Sequence, residues 1–124
     1  MIVGVGIDVV HISRMQRWRD IPGLLDRYFH PNEIVEAKSR GKTEIHSLAA
    51  RFAAKEAFGK ALGTGMRGLR LREVEVQNDS LGKPSILLRG RALQAFQGVG
   101  GGFLHISLAH EGDNAIALVV IEGA

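Results

Sequence analysis

Two acidic residues, each surrounded by glycine or lysine, are the strongest chemical signal in this sequence. Asp8 lies in the β-branched segment Ile2 to Val10, in which alternate positions are glycine. Glu56 and Lys60 lie four residues apart within the run Arg51 to Gly65, so they share one helix face. A carboxylate beside lysines, followed by Gly-Thr-Gly, suits a phosphate that is bound together with a hard metal ion.

Each cluster also has a purely structural explanation. Glu56 and Lys60 match an ordinary i,i+4 ion pair, worth about 0.2–0.5 kcal/mol in an isolated helix. Gly63 matches the glycine that ends a helix, and Asp8 matches a cap for the helix that follows its strand. Spacing alone leaves both interpretations open.

The first segment alternates with the period of a β-strand. We expect its odd-numbered side chains to form an unbroken apolar row that faces the core; these are Val3, Val5, Ile7 and Val9. The opposite face then carries bare backbone at Gly4 and Gly6 and one carboxylate at Asp8. Glycine inside a strand weakens it and marks close approach by a ligand or another backbone.

The composition restricts the class of protein. The 124-residue length predicts one domain over residues 1–124, and a core of this size benefits from oligomerisation. The absence of cysteine excludes disulfides, thiolate nucleophiles and zinc–thiolate sites. No apolar run approaches the ~20 residues of a membrane span, and the first ten residues lack a basic leader. We therefore expect a cytoplasmic protein without a membrane partner.

Positive charge is concentrated in the middle of the chain. Residues 38–72 contain nine Lys and Arg against two Glu, whereas residues 73–124 contain three basic and six acidic residues. Such a segment attracts nucleic acid, a nucleotide or an acidic protein. Few aromatic residues are available for base stacking and no DNA- or RNA-binding motif is present. We therefore expect an anionic cofactor or an acidic protein partner and no nucleic acid.

Helical and strand patterns are mixed without internal repeats, which predicts an α+β fold with an antiparallel sheet and one long helix. The predicted helices cover residues 11–20, 24–29, 32–38, 44–62 and 91–97, with Asn32 and Thr43 as N-caps. The predicted strands cover residues 2–9, 71–77, 85–89, 103–109 and 115–122.

Four motifs together resemble the acyl-carrier-protein synthase family, the short, single-domain type of 4′-phosphopantetheinyl transferase. The first is the Gly-Ile-Asp signature at Gly6–Val10, and the second matches from Arg51 through Gly65. The third is the Asn-x-x-x-Gly-Lys-Pro signature at Asn78–Pro84, and the fourth is the His-x-Ser strand with a later His-acid pair at His105–Glu111. The second motif is long enough to be specific, and the resemblance covers nearly the whole chain. Many relatives have a hydroxyl residue where this chain has Ala109, which does not affect the reaction.

The resemblance implies transfer of 4′-phosphopantetheine from coenzyme A to a serine of an apo acyl carrier protein in fatty acid biosynthesis, with 3′,5′-ADP as the leaving group. It implies three catalytic residues, of which Asp8 and Glu56 ligate Mg²⁺ or Mn²⁺. Lys60, the third, holds a phosphate oxygen and assists the leaving group. The proton acceptor stays open between Glu56, a metal-bound water and His110.

The resemblance also implies the binding surfaces and the assembly. The expected coenzyme A contacts are Arg51, Phe52, Lys55, Gly63, Thr64, Gly65, Lys83, Pro84, His105 and Ser107. Arg14, Arg17 and Arg27 are expected to meet the acidic recognition helix of the carrier, although such arginines are commonly a solvated helix surface. Members of the family form homotrimers with active sites at subunit boundaries, so a homotrimer is expected.

Two rival functions remain compatible with the residues. A non-catalytic basic module that binds a nucleotide or an acidic partner would explain the charged middle segment without a role for Asp8. A metal-dependent phosphohydrolase acting on pyrophosphates would use both acids and cleave coenzyme A without any carrier.

Overall fold

One long helix packs against a three-stranded sheet on one side and a small hairpin on another in the computed structural model, which describes residues 1–124. The strands are β1 (Ile2–His11), β2 (Val74–Asn78), β3 (Pro84–Leu88), β4 (Gly101–Glu111) and β5 (Asn114–Gly123). The α-helices are α1 (Ile12–Arg19), α2 (Leu24–Tyr28), α3 (Pro31–Lys38), α4 (Glu44–Leu62) and α5 (Gly90–Gly98). The predicted α+β class is confirmed. The start of predicted strand 71–77 is instead a 3₁₀ turn, Leu71–Glu73.

The central strand of the larger sheet is β5, in the antiparallel order β1-β5-β4, while β2 and β3 pair only with each other. The register places Asp8 opposite Ala117 and Val10 opposite Ala115. Helix α4 covers the face on which β5 contributes Ala115, Ala117, Val119 and Ile121, all fully buried. This face, with α4 on it, is the core of the protein.

The apolar row of β1 faces away from this core. The odd-numbered residues from Val3 to Val9 are 41–57 % exposed, whereas Gly6 is buried. A Cβ atom on Gly4 would lie 1.9 Å from the carbonyl oxygen of Ala61, and one on Gly6 would lie 1.9 Å from that of Ala57. The prediction that the odd-numbered residues face the core is therefore wrong, because the glycines admit the backbone of α4 directly onto β1.

Helix α4 is surrounded because its inward side chains are small. Four of its alanines are completely buried; these are Ala49, Ala53, Ala54 and Ala57. The helix begins after Thr43, whose side chain makes no capping hydrogen bond, and ends at Gly63, which has a left-handed φ of 88°. Because several elements pack around α4, each of its polar residues faces a different environment. No helix combines the length and the apolar character needed to cross a membrane.

Helix α3 begins one residue earlier than predicted, because His30 rather than Asn32 is its N-cap. The Asn32 N–H donates to His30 Nδ1 at 3.1 Å, and the His30 N–H donates to Glu33 Oε1 at 3.0 Å. Pro31 occupies the first helical position, where its missing N–H costs nothing. This capping box directs Glu33 into the interior, where the residue is 1 % exposed.

Candidate active site

Three residues of the two acidic clusters meet where β1 crosses α4. The Lys60 Nζ donates to Asp8 Oδ1 at 2.9 Å and to the Ile7 carbonyl at 3.0 Å. The side chain of Lys60 is 54 % exposed and that of Asp8 is 17 % exposed. The fold thus joins segments that are distant in the chain into one half-open site, which we call the acid cluster: Asp8, Glu56 and Lys60.

Glu56 lies close enough to Asp8 for their negative charges to interact. Burial raises the pKa of the Glu56 carboxyl, and the charge of Asp8 raises it further, whereas Arg14 and Lys60 lower it. Two carboxylates that repel each other form a site short of positive charge. Mg²⁺ binds one or two carboxylates together with phosphate oxygens and waters, so this pair fits such an ion. The protein alone offers no group of three or more potential ligands.

Arg14 connects the acid cluster to an aromatic cluster. Its guanidinium lies 5.0 Å from the ring centre of Trp18 and 5.2 Å from that of Phe52. The rings of Trp18 and Phe52 meet edge-on at 4.8 Å, and Trp18 also contacts Tyr28 at 5.2 Å. Phe52 is 5 % exposed. The expected contact between Phe52 and coenzyme A is therefore wrong: this ring supports Arg14 and Trp18 from the inside.

Lys55 lies on a different side of α4 and is completely buried. Its Nζ donates to Glu33 Oε1 at 2.6 Å, to the Leu71 carbonyl at 2.9 Å and to the Val74 carbonyl. Burial lowers the pKa of Lys55 to about 8, although Glu33 opposes that shift. All three ammonium hydrogens have internal partners, so none is left for a phosphate. The expected contact between Lys55 and coenzyme A is wrong.

A cavity of about 480 Å³ opens beside the N-terminal half of α4, between the β2–β3 hairpin and β4. Of the expected coenzyme A contacts, Arg51, Pro84 and Ser107 line it. It is also lined by residues that the sequence analysis did not assign, including Arg40, His46, Ser47 and Asn78. A signal existed for two of them: Asn78 opens the third motif, and Ser47 lies one helical turn before Arg51 on the same face.

Arg51 is a fixed part of the cavity wall. Its guanidinium donates to the Val76 carbonyl and, at 2.9 Å, to Asn78 Oδ1. The Asn78 amide in turn donates to the Gly82 carbonyl at 3.1 Å. The third motif therefore folds a turn that holds Arg51 in place, and this turn brings Gly82 and Pro84 to the cavity.

The other expected contacts lie outside the cavity. Gly63, Thr64 and Gly65 form the loop after α4, directly beyond Lys60. Lys83 is exposed in the turn before β3. His105 lies on the open face of the sheet, with its Nε2 2.9 Å from Glu122 Oε1.

The remaining expected side chains fall into two places. Arg17 and Arg27 are exposed on α1 and α2, and Arg17 follows Arg14 by three residues on the same helix. His110, the outside candidate for the proton acceptor, lines the cavity instead, with its Nε2 3.4 Å from the His46 carbonyl oxygen. It is therefore not part of the acid cluster of its own chain.

Within one chain the acid cluster and the cavity are separated by the helix itself. Ser47 and Glu56 are nine residues apart, which at about 100° per residue places them on opposite faces of α4. They also lie toward opposite edges of the three-stranded sheet, since Asp8 is on edge strand β1 and Ser107 on edge strand β4. The two places therefore lie on different sides of one chain.

Solved holo-[acyl-carrier-protein] synthases share this fold. A holo-[acyl-carrier-protein] synthase from Neisseria meningitidis has a TM-score of 0.86 at 38% identity, covering 98% of this chain and 99% of that one. The corresponding synthase from Bacillus anthracis, in complex with CoA (3′,5′-ADP), has a TM-score of 0.83 at 34% identity, covering 100% and 99%.

Sequence comparison leads to the same group of proteins. The holo-[acyl-carrier-protein] synthase of Treponema denticola is 49% identical over 123 residues, 99% of this chain and 100% of the relative. That of Trichlorobacter lovleyi is 52% identical over 125 residues, 98% of each. The model of the 4′-phosphopantetheinyl transferase superfamily matches residues 4–118. With both acids of the cluster inside the matched region, this chain belongs to the 4′-phosphopantetheinyl transferase superfamily.

Proposed function

We propose that this chain transfers the 4′-phosphopantetheine group of coenzyme A to a serine hydroxyl of an apo acyl carrier protein. The observation that carries the proposal is the repelling Asp8–Glu56 pair beside Lys60, at the positions where the family signature has its acids. The relatives named as holo-[acyl-carrier-protein] synthases align with the whole chain, and one of the similar structures contains CoA. We expect this reaction to take place in the cytoplasm, in fatty acid biosynthesis.

In the proposed reaction the serine oxygen forms a bond to the β-phosphorus of coenzyme A, and the bond from that phosphorus to the bridging oxygen breaks. The leaving group is 3′,5′-ADP, and the serine proton passes to a base. Glu56 is the candidate for that base within the acid cluster. Asp8 accepts a hydrogen bond from Lys60 and so holds that lysine at the site.

Asp8 and Glu56 are the residues that would hold a divalent cation. When bound, Mg²⁺ or Mn²⁺ neutralises phosphate oxygens and so makes the phosphorus easier to attack. Lys60 supplies a second positive charge from this chain. Because its side chain is half exposed, its ammonium can exchange the Asp8 carboxylate for a phosphate oxygen without a burial penalty.

We assign the cavity to the adenosine end of coenzyme A. It is lined by the exposed Arg40, which suits a phosphate, and by apolar side chains such as Ile106 and Leu108, which suit a base or ribose. Since cavity and acid cluster face opposite ways in one chain, the bound molecule reaches the acid cluster of a second copy.

This arrangement supports a homotrimer. The open face of the sheet carries the β1 row together with Leu118 at 38 % and Phe103 at 59 % exposure, an apolar patch that a protein normally covers. A contact of the β1 edge of one copy with the β4 edge of the next is head-to-tail, and such contacts generate a closed ring when the rotation between copies is a third of a turn. Native mass spectrometry should give three times the 13.5 kDa chain mass. Leu118→Lys should give monomers, whereas Leu81→Lys, at a position that is 92 % exposed, should not.

Complementation tests whether the active site is shared between copies. Asp8→Asn removes one carboxylate charge from the acid cluster, and Ser47→Arg places a large side chain in the cavity that Ser47 lines, so each variant alone should be inactive. When the two are unfolded and refolded together, mixed assemblies contain intact acids facing intact cavities and should regain part of the activity. A site built within a single chain would regain none.

The reaction itself is tested by incubating the protein with coenzyme A, apo carrier protein and Mg²⁺. Mass spectrometry should show the carrier gaining one phosphopantetheinyl group. A basic binding module would produce no gain with either Mg²⁺ or Mn²⁺. A phosphohydrolase would release 3′,5′-ADP from coenzyme A when the carrier is left out.

A further inference from the structure

One carboxylate outside the cavity is bonded to a cation that lines it. Arg40 Nη2 donates to Glu36 Oε1 at 3.1 Å, and the two side chains are 40 % and 48 % exposed. Arg40 lines the cavity, whereas Glu36 does not, and no acidic side chain belongs to the cavity wall. Glu36 is therefore the carboxylate that an incoming anion meets at Arg40.

Arg40 is also the cation of the cavity that can bind such an anion. The other arginine of the wall, Arg51, is 3 % exposed, and its guanidinium already donates to three partners inside the protein. The side chain of Arg40 donates only to Glu36, which leaves further guanidinium hydrogens free. A phosphate in the cavity must therefore share Arg40 with Glu36 or displace that carboxylate.

The charge of Glu36 reaches beyond Arg40 into the cavity wall. Burial lowers the pKa of the Arg51 guanidinium, Glu33 and Glu36 raise it, and Arg40 lowers it. Glu36 thus acts on both arginines of the cavity. A carboxylate in this place attracts the two guanidinium groups and repels a phosphate that approaches them.

We propose that Glu36 weakens the binding of adenosine phosphates in the cavity by competing with them for Arg40. This inference rests on the proposed function, which assigns the cavity to the adenosine end of coenzyme A. The leaving group 3′,5′-ADP keeps that end, so a carboxylate beside Arg40 speeds its release after transfer. Product release often limits the turnover of an enzyme. Glu36 acts through Arg40, so it is a positioning residue and not a catalytic one.

Isothermal titration calorimetry with 3′,5′-ADP tests this competition without the transfer reaction. Glu36→Gln keeps a hydrogen-bond acceptor for Arg40 and removes only the charge. We expect its Kd for 3′,5′-ADP to fall about fivefold, the effect of removing one unit charge about 4 Å away in water. The difference from wild type should shrink at high salt, which screens exposed charges. In transfer assays the KM for coenzyme A should fall by a similar factor, with the KM for the carrier unchanged.

Glu44→Gln is the matched control. Glu44 pairs with Arg19 at 3.1 Å, the same distance, but neither residue lines the cavity. Its Kd for 3′,5′-ADP should equal that of wild type. In an Arg40→Gln background, Glu36→Gln should tighten binding less than it does in wild type, because no guanidinium is left to release.

Binding of 3′,5′-ADP by Glu36→Gln that is equal to or weaker than that of wild type would overturn the inference. An equal gain from Glu44→Gln would overturn it as well, since the effect would then be one of net charge. A wild type that modifies the carrier but binds no 3′,5′-ADP would overturn the inference and leave the proposed transfer standing. Absence of carrier modification by the wild type would instead refute the proposed function.

Discussion

Helix α4 carries two charged clusters that use the same residue types and behave differently. On one side Lys55 binds Glu33 at 2.6 Å in the interior, where both side chains are completely buried. On the other side Lys60 binds Asp8 at 2.9 Å in a half-open site. Glu56 lies next to this pair, and burial and the charge of Asp8 raise the pKa of its carboxyl group. In the buried cluster every hydrogen of the Lys55 ammonium group has an acceptor. The acid cluster contains two carboxylates, Asp8 and Glu56, but only one lysine, Lys60.

This difference in burial gives Lys55 a structural role and leaves Lys60 available for a ligand. A lysine whose three hydrogens are bound inside the protein holds α3, α4 and β2 together, and it cannot move to a ligand. A lysine that is half exposed can exchange partners when a phosphate arrives. The two residues are only five positions apart, so burial rather than motif membership decides which one belongs to the active site.

The largest expected effect is loss of transfer when the acid cluster loses a carboxylate. Asp8→Asn keeps a hydrogen-bond acceptor for Lys60 but removes the negative charge of the carboxylate. Glu56→Gln likewise replaces a carboxylate by an uncharged amide of the same shape. We expect each to reduce the rate of carrier modification by about 10³-fold, as for the removal of a group that stabilises charge in a transition state. Glu111→Gln, an exposed acid in the β4–β5 turn, should have no effect. Near-normal turnover in either acid variant would show that the acid cluster is not the catalytic site.

The free energy of unfolding should depend on the buried Lys55–Glu33 cluster rather than on the acid cluster. Lys55→Met removes the nearest cation of the buried Glu33 and leaves only Arg51, at 4.0 Å, which should lower the free energy of unfolding by about 3–5 kcal/mol. Urea denaturation followed by circular dichroism measures this loss. Unfolding free energies that agree within error for Lys55→Met and wild type would mean that the buried pair is not what holds α3 against α4.

Lys60→Met is the matched variant on the exposed side. It should leave the unfolding free energy within about 1 kcal/mol of wild type, because a half-exposed ion pair contributes little. Its transfer rate should fall by about 10²-fold, since a positive charge near the reacting phosphate is lost. If Lys60→Met were as active as wild type, the phosphate contact assigned to it would be incorrect.

The sequence predicted the elements well and the roles of α4 residues only in part. Periodicity located all five helices, because the apolar spacing and the glycine at the end of α4 are local signals. Asp8, Glu56 and Lys60 were also identified correctly as neighbours, since the family signature fixes both segments. Nothing local distinguishes Lys55 from Lys60, because the partner of each lies in a distant part of the chain.

The prediction of which face of β1 meets the core was wrong for a related reason. Alternation alone suggests that the apolar side of a strand faces the core, and the odd-numbered residues of β1 are the apolar ones. The core is instead on the glycine side, since only there can the backbone of α4 approach within contact of the strand. A strand with glycine on the face toward the helix and apolar side chains on the other has no polar face from which its orientation can be read.

That close approach gives a smaller test. Gly6→Ala places a methyl group 1.9 Å from the Ala57 carbonyl oxygen, so β1 and α4 must separate. We expect a loss of about 1–3 kcal/mol in the free energy of unfolding and a lower transfer rate, because Asp8 moves away from Lys60. Gly98→Ala, with no atom near the added Cβ, should not destabilise the protein. Equal melting temperatures for the two variants would contradict this packing.

The smallest effect is a pH dependence specific to the buried cluster. Burial lowers the pKa of Lys55 from its ordinary 10.5 to about 8. Between these values the unfolded chain holds a proton on Lys55 that the folded chain has lost, so the free energy of unfolding should rise with pH in that window. The slope of unfolding free energy against pH from 8 to 10 should therefore be steeper for wild type than for Lys55→Met. NMR of the lysine Cε groups should show Lys55 titrating near pH 8. Identical slopes for the two proteins, with no lysine titrating near pH 8, would mean that burial does not penalise the charge of Lys55.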